Sequence, residues 1–194
     1  MENKKMKNIY HIVMIALCFL YAVVVALFLI TKSEVCLTIW EIYTILSAIY
    51  FLIYFSLLSK SLGFNEKEIK LVTAMFIGLV VATSIAHLSS VCITRPLLRS
   101  GYNVPEYYLI GTYPSIEMFI DYIGWGLFTG LGFIFISKYI KDNKLLKNVF
   151  LVFGIMILFG FIGGFTPIQE LWYIASLGYG VGPIIISIIL ITNK

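Results

Sequence analysis

Six long apolar runs separated by polar links set the pattern of this chain. A bilayer core takes roughly 20 residues of α-helix, and the runs predict helices over about 9–31, 36–58, 69–94, 115–138, 147–165 and 167–191. Most links are tight, as in TKSEV after the first run, so consecutive helices are expected to lie antiparallel and side by side. The one long link, 95–114, reads RPLLRSGYNVPEYYLIGTYP. Pro96 disfavours helix at Arg95 and is expected to stop the third helix there. Tyr102, Tyr107, Tyr108 and Tyr113 suit a water–lipid interface, so this link fits a surface lid and a plain connector equally well.

Local signals agree with these boundaries. Asn65 with Glu68 has the spacing of a capping box before helix three. Ser115 is a suitable N-cap for helix four. Thr166, Pro167 and Gln169 form a cap, a proline and a partner for helix six. Pro183 removes a backbone donor inside helix six and predicts a kink near Tyr179.

The polar positions inside the runs fall on faces. In helix two, Tyr43, Ser47, Tyr50 and Tyr54 form one stripe, read first as hydroxyls packed on a neighbouring helix and second as a pocket wall. Glu41 points nearly the opposite way, beside Thr44 and Ala48. Thr83, His87, Ser90 and Thr94 share a face of helix three. His11 lies at a lysine-flanked helix end and is read as interfacial. Helix six carries a loose stripe of Gln169, Tyr173, Ser176 and Gly180, and Gly178 and Gly182 repeat a small-residue spacing.

Helix four is the least ordinary span. At 100° per residue, Glu117, Asp121, Gly124 and Phe128 share one face, while Gly126, Gly130 and Ser137 take the opposite one. The Gly-xxx-Gly spacing allows close approach of another helix. A helix needing partners on opposite sides is expected at the centre of its bundle.

Composition narrows the class. Hydrophobic residues make up 60% of the chain and charged residues only 12%, against about 25% charged in soluble domains. The chain is therefore expected to be an all-α polytopic membrane protein, a bundle of six transmembrane helices with the lipid bilayer as its first partner. Six spans leave no room for a separate soluble enzyme module. Lys4, Lys5 and Lys7 imitate a signal peptide, but the apolar run from Ile9 to Ile30 exceeds the roughly 7–15 residues of a cleavable segment, so the first helix is expected to be retained. The lysines sit in small groups beside apolar helices, unlike a nucleic-acid patch. Cys36 and Cys92 fall near the same face, so a disulfide between them is conceivable.

Charge distribution gives an orientation. Lys4, Lys5, Lys7, Lys60, Lys67, Lys70, Lys138, Lys141, Lys144, Lys147 and Lys194 fall at one end of the bundle, against Lys32, Arg95 and Arg99 at the other. The positive-inside rule then places both termini in the cytoplasm of a cell membrane. Glu41, Glu117, Asp121 and Glu170 each lie within the first two turns of a helix descending from the outer face, and His87 lies about two turns from that face. At 1.5 Å per residue they sit roughly 3–11 Å below it, with Arg95 and Arg99 just above.

The candidate ligand-binding set is thus Asp121, Glu117, His87, Glu41, Glu170, Arg95 and Tyr173. Ionisable groups inside a membrane are functional candidates by default. Against this, a helix dipole stabilises a carboxylate in the first turn by about 0.3–1 kcal/mol, which accounts for Glu117 and Glu170 taken singly. Asp121 and His87 are deeper and share faces with polar or glycine neighbours. Three functions compete: an outward-facing pocket that binds or transports a small polar or cationic ligand, a membrane-embedded enzyme built on His87, and a structural or regulatory partner that forms homo- or hetero-oligomers through its glycine faces. The enzyme would use His87 as general base or metal ligand, yet no His-Glu-x-x-His pair, second nearby histidine or nucleophile elbow accompanies it. No motif specifies a cofactor, and no internal half-repeat marks a transporter. The first function is the expectation.

Overall fold

A computed structural model describes residues 6–110 and 112–192, the side chains of residues 169 and 170 excepted. Among these residues the chain is helical with no strand. It forms six helices: α1 (Asn8–Thr31), α2 (Glu34–Ser61), α3 (Glu66–Arg99), α4 (Ile116–Tyr139), α5 (Lys144–Gly163) and α6 (Gln169–Thr192). Each contains a stretch long and apolar enough to cross a membrane.

The ends follow from side chains able to satisfy free backbone groups. Asn65 accepts from the Glu68 amide at 3.0 Å, and Glu68 returns the bond to the Asn65 amide at 2.8 Å. Ser115 accepts from the Met118 amide and Asn143 from the Leu146 amide, opening α4 and α5. At the close of α1, Lys32 takes a left-handed conformation (φ 50°) and its amide bonds the Phe28 carbonyl.

Two of the boundaries that differ from the sequence reading lie beside prolines. Helix α3 does not stop at Pro96. It widens into a π-helical segment, Ser90–Thr94, with the Arg95 amide bonded to the Ser90 carbonyl, and continues to Arg99. A proline ring normally clashes with the carbonyl four residues back; the wider π turn shifts those carbonyls and gives the ring room. Helix α6 begins at Gln169, because Thr166 is engaged in a turn, its amide bonded to the Gly163 carbonyl. A second π segment, Ile123–Phe128, lies within α4.

Helix α4 is central. Gly124 sits against α3, where an added Cβ would stand 3.2 Å from the Leu79 carbonyl oxygen. On the opposite face, Cβ atoms at Gly126 and Gly130 would meet Phe161 and Leu158 of α5 at 2.4 and 2.8 Å. Gly178 and Gly182 of α6 are pressed on Ile157 and Phe153 of α5 in the same way. These glycines therefore serve close helix contacts within the chain. Trp125 reaches α2 and α6, edge-on to Phe51 and tilted against Tyr179.

The two ends of the bundle differ in chemistry. Toward the lysine-rich end, Phe55 stacks on Phe76 at 4.7 Å and meets Phe133 edge-on at 5.0 Å, with Phe150 beside it, all buried. The tyrosine stripe of α2 packs on neighbouring helices: Tyr43 donates to the Leu17 carbonyl, Tyr50 to the Tyr10 carbonyl, and Tyr54 pairs with His11 and Ser187. His11 is accordingly buried rather than interfacial, held 2.8 Å from the Tyr54 hydroxyl. The opposite end, where α2 begins and α3 finishes, is ionic.

Candidate functional site

Glu34, Thr38 and Glu41 recur at i, i+4 and i+7 and so line one face of α2. Arg95 and Arg99, four residues apart at the end of α3, meet that face as a ladder. Arg99 pairs with Glu34 at the half-exposed rim. One turn deeper, the Arg95 guanidinium pairs with Glu41 through Nη2 and donates through Nη1 to the Thr38 hydroxyl at 2.8 Å. Arg95 is 8% exposed and Glu41 only 1%. A buried guanidinium and carboxylate must be paired to tolerate the loss of water, and these two are.

His87 lies two turns before Arg95 on α3, also buried. Its Nδ1 stands 4.0 Å from Glu41 Oε1 and its Nε2 3.4 Å from Asp121 Oδ1. Neither approach has hydrogen-bond geometry, so the ring is a charge neighbour of two carboxylates without being fixed by either. Glu117, one turn before Asp121, is buried and accepts a hydrogen bond from the Thr94 hydroxyl at 2.8 Å. Its second oxygen, Oε2, has no hydrogen-bond partner among the described residues, nor do Glu41 Oε1 and Asp121 Oδ1.

The structure thus joins five of the expected residues, Glu41, His87, Arg95, Glu117 and Asp121, in one layer across α2, α3 and α4. Three carboxylates face one guanidinium and one imidazole, so with all three acids ionised the layer carries a formal negative charge whether or not His87 is protonated. Each of its three carboxylates keeps an oxygen that no hydrogen bond uses. Arg95 Nε and both His87 nitrogens also lack a hydrogen-bond partner among the described residues, so the layer offers donors as well as acceptors, and its ionised acids favour a cation over an anion. Both π segments adjoin it: Ser90–Thr94 separates His87 from Arg95, and Ile123–Phe128 follows Asp121 within one turn.

Two expected members stand differently. Tyr173 is 66% exposed on α6, and no hydrogen bond or ion pair among the described residues ties it to the layer. The side chain of Glu170 lies outside the described residues. Three contributors escaped the sequence reading: Glu34, Thr38 and, as the bond partner of Glu117, Thr94. The heptad-like spacing of Glu34, Thr38 and Glu41 against Arg95 and Arg99 was the available signal, hidden by the assignment of both arginines to a loop. Cys18, Cys36 and Cys92 are all free thiols. Among the described residues, no group of three or more histidine, cysteine or acidic side chains is placed to hold a metal ion.

Comparison of the chain with protein-family models, with curated proteins and with solved structures gives no match.

Proposed function

We propose that this chain is a six-helix cell-membrane protein with both termini in the cytoplasm, and that its ionic layer, near the outer face, binds a small cationic or polar ligand as a step in transport. The observation that carries the reading is the excess of carboxylates, two buried and one partly exposed, over cationic groups around His87, with an oxygen free of hydrogen bonds left on each acid. Retaining uncompensated acid inside an apolar bundle is costly, and a positive ligand offsets that cost. The lysine distribution supports the orientation. The π segments beside the layer support movement, since such turns recur at functional positions in helices.

Asp121 and Glu117 have different roles in this reading. Glu117 is already bonded by Thr94, whereas Asp121 is partly exposed and, among the described residues, has an ion-pair contact with His87 alone, so Asp121 is the main counter-charge. Asp121→Asn is expected to weaken ligand binding or complementation about tenfold or more, the worth of one charge-assisted contact, and Glu117→Gln considerably less. Wild-type behaviour of both variants sinks the reading.

A second reading, a membrane-embedded enzyme with His87 as general base, draws on the placement of the imidazole between Glu41 and Asp121. Metal analysis of the purified protein separates its metal-dependent form. Stoichiometric metal that is lost in His87→Ala favours that form, and no metal in either protein removes it.

A further inference from the structure

Residues 102–108 and the end of α3 bound a cavity of about 290 Å³, lined by Ile93, Thr94, Leu97, Tyr102, Asn103, Val104, Pro105 and Tyr108. Its volume is at the low end of small-molecule sites, which run to roughly 300–1,000 Å³. Ile93, Leu97, Val104 and Pro105 offer apolar walls, and Tyr102 and Tyr108 complete the lining. The link is not bare loop here: Glu106–Tyr108 forms a 3-10 turn that presents Tyr108.

The chemistry of the cavity is set by Thr94. A threonine hydroxyl has one proton, and that of Thr94 is given to Glu117 Oε1. Thr94 is part of the cavity lining; with its proton so engaged, its hydroxyl can only accept from a ligand, and its bond to a carboxylate strengthens it as an acceptor. A ligand must bring a donor to this point. Glu117 itself lies behind Thr94, 3% exposed, with Oε2 unbonded. The nearest cations, Arg95 and Arg99, are taken up by Glu41 and Glu34. Glu106, exposed on the 3-10 turn, has no ion pair among the described residues. A ligand anion would thus face Glu117 across a single hydroxyl, while a cation would meet acceptors and the lining tyrosines, a residue type capable of cation–π contact.

We infer that this cavity binds a small primary ammonium compound with an apolar or aromatic body, its N–H donated to Thr94 and its charge held by Glu117. The inference rests on the reading of the layer as a cation site and gives that site a vestibule and a ligand class. The same chemistry is offered by a free amine in solution and by the head group of an aminophospholipid.

The test uses the full chain in phosphatidylcholine nanodiscs and isothermal titration with phenethylammonium. Saturable binding is expected, at least about tenfold weaker for the N-trimethylated analogue, which has no N–H, and none for phenylacetate. Thr94→Val is expected to lose about tenfold in affinity, with Thr94→Ser close to wild type. Thermal unfolding of each variant shows whether the bundle is intact. Adding phosphatidylethanolamine identifies the source: competition with phenethylammonium points to the lipid, and unchanged affinity points to a soluble amine. Absence of saturable binding by the wild-type chain overturns the inference. So does unchanged affinity in a folded Thr94→Val. If that variant binds normally while Asp121→Asn does not, the ligand belongs to the deeper layer, and the vestibule fails while the layer reading stands.

Discussion

At the scale of single residues, Arg95 bears the greatest constraint. Its guanidinium is buried against Glu41 and Thr38, in surroundings where an unpaired charge is strongly penalised. Removing one member of a buried pair typically costs about 3–5 kcal/mol, whereas replacing both by neutral groups costs far less. Arg95→Met is accordingly expected to lower the thermal unfolding midpoint sharply, and the double variant Arg95→Met/Glu41→Gln to recover most of the loss. Arg99→Met is the control, because the Arg99–Glu34 pair lies at the rim, 58% and 50% exposed, where solvent screens such pairs and they contribute little to stability. A double variant as unstable as the single one contradicts this account. Glu41, Glu117, Asp121 and His87, and their shared level along the bundle, were legible in the sequence, since each stands out against apolar neighbours. The pairing was not: Pro96 argued for a loop at Arg95, and only the π turn before it keeps the arginine on the helix facing Glu41.

At the scale of the element, α4 divides its labour between faces. Glu117, Asp121 and Gly124 meet α3, and Gly126 and Gly130 meet α5. This division was readable from spacing alone, because helical periodicity is insensitive to which neighbour occupies a face. The identity of the neighbour was unreadable, as it depends on contacts distant in the chain. Gly126 faces backbone of α5, with the Phe161 amide nitrogen 2.4 Å from the position of an added Cβ. Gly126→Ala is expected to destabilise the bundle by about 1–3 kcal/mol through forced separation of the helices. Gly180 has nothing within 4 Å of its Cβ position, so Gly180→Ala is expected to be neutral or to stabilise by up to about 1 kcal/mol through helix propensity. Unfolding midpoints of the two variants in the same detergent decide the matter, and equal midpoints contradict it.

At the scale of the molecule, an aromatic end and an ionic end are stacked along one bundle. The lysine-rich links adjoin the aromatic end, and the proposed orientation turns the ionic end outward. In a chain whose three native cysteines are replaced, Ser100→Cys is expected to react with a membrane-impermeant maleimide on intact cells, and Lys141→Cys only after permeabilisation. The reverse pattern inverts the topology and points the ionic layer to the cytoplasm. The π segment of α4 has a bearing on the whole arrangement. It lies between Asp121 and Gly130, so the acid-bearing part and the glycine-bearing part of α4 are phased to each other by the number of residues between them. Take one residue out of 123–128 and ordinary winding can resume, but Asp121 then turns by about 100°, away from His87, while Gly130 stays seated on α5. The site is therefore written in a count of residues as much as in their kinds, and a one-residue deletion that alters no charged group would dismantle it.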